Sequence, residues 1–172
     1  SPGIVKPPEE WWESSIGNIP MGQGIAVTAV QMTSAFSTVA YNGWQVKPRL
    51  VAQVGAEVHD GVEKHRVLPA KAARQVREML RVAVEKGTGT KARIPGYDVA
   101  GKTGTAEIAL PHGGGYAKGV YTASFVGMAP ADHPRVVVLV AVNGTAMYGG
   151  DAAAPAVRKI MQFALQHLEI AP

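Results

Sequence analysis

A lysine, two threonines and a glycine at residues 102–105 are the side chains of this sequence best suited to holding an anion. Lys102 carries a cation, Thr103 and Thr105 carry hydroxyls, and Gly104 between them has no side chain. Ammonium and hydroxyl groups donate hydrogen bonds to anions, and glycine lets another molecule approach the backbone closely. We therefore expect this stretch to hold an anionic ligand against the main chain.

A phosphate-binding loop is one interpretation of this stretch. The run from Gly96 to Thr103 fits the pattern G-x-x-x-x-G-K-[ST], in which backbone amides and the lysine cradle a nucleotide. Such a loop must follow a buried strand and open directly into a helix. Pro111 and three glycines would end that helix before two turns, and Asn143 stands where an aspartate would hold magnesium. A nucleotide binder is therefore kept only as a remote alternative.

A β-strand is the other interpretation, because residues 97–106 are small, hydroxylated or β-branched. Gly101 and Gly104 leave places where a peptide substrate could lie alongside as an added strand. An isolated Lys-Thr-Gly triplet also fits an ordinary strand whose lysine is merely solvated. The choice between these interpretations depends on the rest of the chain.

Size, charge and composition exclude several classes of protein. The 172 residues, 47% of them hydrophobic, are enough for one domain with its own core. Seventeen Lys and Arg against 13 Asp and Glu give a net charge of +4, but they form no basic run, so nucleic acid is not an expected partner. The absence of cysteine excludes disulfides and thiolate metal sites, and the five histidines lack metal-ligand spacing. We expect neither a metal nor a cofactor.

The longest apolar run, at residues 136–142, is far shorter than the roughly 20 residues of a membrane-spanning helix. The sequence does not begin with methionine. We expect it to be a piece of a longer protein.

Periodicity predicts an α+β fold, an antiparallel sheet flanked by helices, in the order helix, hairpin, helix, three antiparallel strands, helix. A capping box at Thr28 and Gln31 begins the first helix, and Asn42-Gly43 ends it. Amphipathic patterns predict further helices at 70–86 and from about residue 154. The predicted hairpin strands are 48–54 and 58–67, and the predicted sheet strands are 97–107, 120–128 and 135–142, the last buried on both faces. Loops are predicted at 87–91 and 108–119, and a short helical turn at 9–14.

Other motifs accompany the Lys-Thr-Gly triplet in a fixed order along the chain. They are Met21-Gly-Gln-Gly24, Val27-Thr-Ala-Val-Gln-Met32, Tyr41-Asn-Gly43, Pro48-Arg-Leu50, Gly87-Thr-Gly89, Ser124-Phe-Val-Gly127 with Ala129-Pro130, Tyr148-Gly-Gly150 and Ala154-Pro155. With these motifs the chain resembles the C-terminal half of the transpeptidase domain of class B penicillin-binding proteins. This is the cell-division and spore-wall group that cross-links peptidoglycan.

The resemblance implies serine acyl transfer with three signatures, S-x-x-K, S-x-N and K-T-G. Only the third is present, because no serine has a lysine three residues on or an asparagine two residues on; the serines are Ser1, Ser14, Ser15, Ser34, Ser37 and Ser124. Residues 1–172 are therefore expected to be the C-terminal part of a single transpeptidase domain, inactive by itself. Its N-terminal part, carrying the other two signatures, would be a necessary partner.

The resemblance also implies roles for the four residues. Lys102 would supply positive potential for the ligand carboxylate and for the absent serine and lysine, and Thr103 and Thr105 would donate hydroxyl hydrogen bonds to that carboxylate. The backbone N–H of Thr105 would be one of two oxyanion donors, and Gly104 would stay small to admit the acyl group. The expected ligands are the peptidoglycan stem peptide and β-lactam antibiotics, with cell-division proteins as further partners. The implied location is the extracytoplasmic face of the bacterial cytoplasmic membrane, with the anchor in an N-terminal segment outside this sequence.

Two other functions are compatible with the same fold. One is a non-catalytic scaffold or interaction module of the cell-wall machinery, and the other is a β-lactamase or β-lactam sensor. An S-x-x-K segment upstream, or on another chain, separates an enzyme from a scaffold.

Overall fold

The computed structural model describes residues 3–58, 61–111 and 114–172. Within these ranges groups of helices and groups of strands follow one another along the chain. The helices are α1 (Ser15–Asn18), α2 (Ala29–Ala40), α3 (Ala70–Glu85), α4 (Gly149–Ala152) and α5 (Ala154–His167), with short 3-10 helices at Pro8–Glu10, Ile19–Met21 and Thr90–Ala92. The predicted helical turn at 9–14 overlaps the 3-10 helix Pro8–Glu10 at its start, and α1 begins only at Ser15. The predicted loop at 87–91 runs into the 3-10 helix Thr90–Ala92.

Helix α2 begins at the predicted capping box. The Thr28 hydroxyl accepts the Gln31 N–H at 3.2 Å, and the Thr28 N–H donates to the Gln31 side chain at 2.9 Å. After the helix Asn42 and Gly43 adopt positive φ angles of 52° and 89°. A Cβ on Gly43 would lie 2.0 Å from the carbonyl oxygen of Leu68, so the chain can turn here only with glycine. The prediction for both ends of this helix is confirmed.

Three long antiparallel strands form the main sheet. They are β5 (Ala100–Ala109), β6 (Tyr116–Ala129) and β7 (Val136–Thr145), arranged in the order β5-β6-β7. The three predicted strands are confirmed, although β5 begins three residues later than expected. Strands β5 and β6 extend into the predicted loop at 108–119, of which His112 and Gly113 lie outside the described residues.

The prediction that the third strand is buried on both faces is wrong. Residues 136–140 of β7 are only half buried. Among the described residues β7 is an outer strand, paired with β6 along one edge alone, and α2 and α5 cover its faces in part. An apolar run therefore does not guarantee a central position in a sheet.

The predicted hairpin is wrong in its extent. The inner pair, β2 (Gln53–Val54) with β3 (Glu57–Val58), has two residues in each strand. A second pair joins β1 (Trp44–Val46) to β4 (Lys64–Arg66), so the first strand of the outer pair precedes the predicted one. The Trp44 ring lies 4.5 Å from the guanidinium of Arg66 and 5.4 Å from the Lys64 ammonium, and these cation–π contacts favour the outer pairing. His59, near the start of the second predicted strand, lies outside the described residues.

Helices pack on both faces of the sheet, which confirms the α+β class. On one face Phe125 of β6 is buried against α5, together with Val157, Met161 and Leu165. On the other face Leu80, Ala100 and Met128 are buried, and α2 contributes Phe36 and Val39 at their margin. No helix in the described ranges is long and apolar enough to span a membrane. Strand β5 is thus fixed from both sides by core residues.

Candidate active site

Strand β5 carries all four residues that the sequence singled out. Lys102, Thr103, Gly104 and Thr105 are consecutive in β5, and their partners on β6 are Val126, Phe125, Ser124 and Ala123. Side chains alternate along a strand, so Lys102 and Gly104 share one face while the two threonines share the other. The phosphate-loop interpretation is wrong, because Thr103 lies inside a strand and not at the start of a helix.

The edge of β5 opposite β6 has no strand beside it among the described residues. An outer strand presents backbone N–H and C=O groups that can pair with an extended peptide. Lys102 lies on this strand with its side chain exposed. Its Nζ donates a 2.9 Å hydrogen bond to the carbonyl oxygen of Thr103 and lies 3.4 Å from the hydroxyl of the same residue. A cation and an open backbone edge therefore occur together.

The two glycines of this strand differ in how far packing on β6 requires them. A Cβ on Gly101 would lie 2.7 Å from the ring of Phe125 and 2.7 Å from the carbonyl oxygen of Val126. A Cβ on Gly104 would lie 2.5 Å from the hydroxyl oxygen of Ser124. Gly101 must be glycine even without a ligand, because a buried ring and a backbone oxygen block a side chain there, whereas the Ser124 hydroxyl can rotate away from a Cβ at residue 104. Access for an acyl group is an additional requirement that the resemblance attaches to Gly104.

The two threonine hydroxyls each have a partner outside β5. The Thr103 hydroxyl lies 2.8 Å from the hydroxyl of Thr88, in the loop after α3. The Thr105 hydroxyl accepts the backbone N–H of Gly149, the first residue of α4, at 3.1 Å. A hydroxyl has one proton and two acceptor positions, so Thr105 keeps its proton for a further acceptor such as a carboxylate.

Helix α4 is pressed against the sheet at Gly149. A Cβ there would lie 2.3 Å from the carbonyl oxygen of Ser124 and 2.5 Å from that of Gly104. One at Gly150 would lie 2.6 Å from the carbonyl oxygen of Thr88. The Tyr148-Gly-Gly150 motif thus lets α4 contact strand β5, which carries the threonines, and also the loop that contains Thr88.

Two tyrosines extend the site beyond Thr105. The rings of Tyr121 and Tyr148 have their centroids 5.4 Å apart, and Tyr121 lies directly across from Glu107 in the sheet. The hydrogen bond with Tyr148 raises the pKa of Tyr121, and the charges of Tyr148 and Glu107 raise it further. This end of the strand is therefore aromatic and bears a negative charge, whereas the Lys102 end is positive.

Thr88 and Gly149 are the neighbours of the site that sequence reasoning did not identify. Both lie in motifs noticed in the sequence, Gly87-Thr-Gly89 and Tyr148-Gly-Gly150, but no local pattern connects them with residues 102–105. They are 15 and 44 residues from their partners on β5. Only the folded chain brings them together.

The family is established by comparison with known proteins. The sequence model of one protein family, the penicillin-binding protein transpeptidase domain, matches residues 1–162 of this chain. The chain belongs to this family.

Individual relatives agree with this assignment. Penicillin-binding protein PbpB of Mycobacterium tuberculosis is 36% identical over 182 residues, covering 96% of this chain and 27% of that protein. The probable peptidoglycan D,D-transpeptidase PbpC of Pseudomonas aeruginosa is 34% identical over 176 residues, covering all of this chain and 30% of the relative. The crystal structure of penicillin-binding protein 3 from M. tuberculosis complexed with ampicillin superposes with a TM-score of 0.90 at 35% identity, covering 99% of this chain and 41% of that one. The chain thus spans less than a third of these two curated relatives.

Proposed function

We propose that this chain is the K-T-G-bearing portion of a peptidoglycan D,D-transpeptidase that cross-links stem peptides by serine acyl transfer. The observation that carries the proposal is the position of residues 102–105 on the open edge of β5, within a chain that belongs to the transpeptidase family. The name of the Pseudomonas relative supports the reaction. The chain forms one wall of the site, and the rest comes from the preceding part of the same domain.

Each residue of the wall has a separate role in acyl transfer. Lys102 supplies a positive charge facing the ligand carboxylate and the serine and lysine of the other wall. The hydroxyls of Thr103 and Thr105 donate to that carboxylate. The backbone N–H of Thr105 stabilises the oxyanion of the tetrahedral intermediate, a contribution typically worth about 3 kcal/mol.

The nucleophile has to come from outside the chain. Ser124 is close to the wall, with its hydroxyl oxygen facing Gly104, but Gly127 and not a lysine follows three residues later. A serine without a neighbouring base is a poor nucleophile. The 172 residues alone are therefore inactive.

The ligands of the complete protein are the stem peptide and β-lactam antibiotics. M. tuberculosis penicillin-binding protein 3 has been crystallised with ampicillin and with aztreonam, which supports β-lactam binding here. Because peptidoglycan lies outside the cell membrane, we place the protein on the extracytoplasmic face, with its anchor outside this sequence. Cell-division proteins are its proposed partners.

The test is covalent labelling by a fluorescent penicillin in the longer protein that contains this chain. Lys102→Ala should lower the acylation rate by about 100-fold or more, because it removes the cation facing the carboxylate. Folding should be retained, since the side chain is exposed. Lys159→Ala, on the exposed face of α5, is the matched control and should label at the normal rate.

Three outcomes would contradict the proposal. They are a normal acylation rate for Lys102→Ala, covalent labelling of the 172 residues alone, and no labelling of the longer protein. The last outcome would favour the scaffold function.

A further inference from the structure

Contacts at Gly89 and at Lys91 hold the loop after α3 in place. Gly89 donates its N–H to the carbonyl oxygen of Ala83 in the last turn of α3, at 3.0 Å. A Cβ on Gly89 would lie 3.1 Å from the ring of Phe125, so the loop packs directly on the buried face of the sheet. Two residues later, the Lys91 ammonium forms a 2.7 Å ion pair with Asp151 of α4. The segment from the end of α3 to Lys91 is thus confined to the space beside β5.

Thr88 lies between the end of α3 at Glu85 and the anchored Gly89. Its carbonyl oxygen packs on Gly150, where any side chain would collide with it. Its hydroxyl lies 2.8 Å from that of Thr103. Backbone contacts of Thr88 and Gly89, and the Lys91–Asp151 ion pair that follows them, therefore hold the Thr88 side chain beside Thr103.

The number of protons on the two hydroxyls decides what Thr103 can offer a ligand. Each hydroxyl has one proton, so in the Thr88–Thr103 pair one residue donates and the other accepts. If Thr103 donates to Thr88, its proton is not available to a carboxylate. The geometry of the pair permits either direction, and the Thr103 oxygen, with two acceptor positions, can accept from the Lys102 ammonium at 3.4 Å and from Thr88 at the same time. A carboxylate only accepts, so when it takes the Thr103 proton, Thr88 has to be the donor of the pair.

We propose that Thr88 is a positioning residue, whose hydroxyl holds that of Thr103 in the orientation that donates to the substrate carboxylate. This inference rests on the proposed transpeptidase function and adds to it a residue of another segment, which acts through Thr103 without touching the substrate. The anchored loop keeps the Thr88 donor in place before the ligand arrives, so less ordering is required on binding.

The test is the second-order rate of acylation by a penicillin in the longer protein that contains this chain. Thr88→Val keeps the branched shape and removes the hydroxyl, and should lower the rate about fivefold, the usual effect of losing one neutral hydrogen bond. Thr88→Ser restores the hydroxyl and should return the rate to within about twofold of normal. Thr90→Val, in the same loop, is the matched control and should acylate normally. A normal rate for Thr88→Val, or no recovery in Thr88→Ser, would overturn the inference.

A double-mutant cycle with Thr103→Val separates positioning from a purely structural role. If Thr88 acts through the Thr103 hydroxyl, adding Thr88→Val to Thr103→Val should change the rate by less than about twofold. A full additional loss in the double variant would show that Thr88 acts by another route and would overturn the inference. Thermal unfolding of each variant checks that the fold is kept, and Thr88→Ala gives the same comparison if Thr88→Val does not fold.

Lys102→Ala, measured alongside, separates failure of this inference from failure of the proposed function. A large loss of acylation rate in Lys102→Ala, together with a normal rate in Thr88→Val, would contradict only the role proposed for Thr88. A normal acylation rate in Lys102→Ala would contradict the proposed function, in which residues 102–105 bind the substrate.

Discussion

Substitution of Gly149 by alanine tests whether the contact between α4 and the sheet positions the candidate site. The added Cβ would lie 2.3 Å from the carbonyl oxygen of Ser124 and 2.5 Å from that of Gly104, where ordinary contact begins at 3.4 Å. Both obstacles are backbone atoms of paired strands, so no side-chain rotation relieves them. The start of α4 must therefore move away from the sheet by about 1 Å.

That displacement also removes a hydrogen bond of the site. The Gly149 N–H donates to the Thr105 hydroxyl at 3.1 Å, and a movement of about 1 Å takes the pair beyond hydrogen-bonding distance. Overpacking of this kind typically costs about 1–3 kcal/mol, and the lost hydrogen bond adds about 1 kcal/mol. Each kcal/mol lowers the melting temperature by about 2–4 °C in a domain of 150–250 residues.

Two measurements on the longer protein check this prediction. Thermal unfolding should show the lowered melting temperature, and the penicillin acylation rate should fall by about tenfold, because Thr105 loses the donor that orients its hydroxyl. Gly17→Ala is the matched control, since no atom lies within 4 Å of a Cβ at that position and its φ is ordinary. A Gly149→Ala protein with the normal melting temperature and acylation rate would refute the reasoning.

Three further predictions concern the rest of the chain. Arg77→Met should lower the free energy of unfolding by about 2–4 kcal/mol in chemical denaturation. The reason is that the buried guanidinium donates hydrogen bonds to the Val39 carbonyl at 2.9 Å and to the Asn42 side chain at 3.0 Å. A change below about 0.5 kcal/mol would contradict this prediction. The raised pKa of Tyr121 means that its neutral form stabilises the fold. This stabilisation is complete below the unfolded pKa of about 10 and is lost as the pH rises through the folded value. The free energy of unfolding should therefore fall more steeply above pH 10 in the wild type than in Tyr121→Phe, and equal slopes against pH would contradict the prediction. The outer edge of β7 should make the isolated 172 residues associate, and a stable monomer in light scattering would argue against that expectation.

The sequence by itself determined those elements whose signals are local. The Thr28 and Gln31 side chains bond to backbone groups three residues away, so the start of α2 is encoded within one turn. The main strands and α5 follow from the period of their apolar residues. The sequence also placed residues 102–105 on a strand, because the proline and glycines that follow them leave no room for the helix of a phosphate loop.

Local signals were insufficient where the pairing partner is distant and the pattern is weak. Trp44 is 22 residues from its partner Arg66, and the alternation between them predicted one hairpin with longer strands than the described residues form. The ring and the two cations of the β1–β4 pair stabilise one register only after the chain has closed on itself. Likewise, the apolar run of β7 indicated a strand but not its position in the sheet.

Tertiary structure alone decided the surroundings of the candidate site. Thr88 and Gly149 reach Thr103 and Thr105 because α3 ends, and α4 begins, against the face of the sheet that carries both threonines. The glycines at 101 and 149 have a packing reason that no local pattern shows, since the atoms they make room for belong to the strands on which they pack. Periodicity reports the interactions of a residue with its near neighbours, whereas hydrogen-bond partners 15 and 44 residues away are chosen by the packing of the whole core.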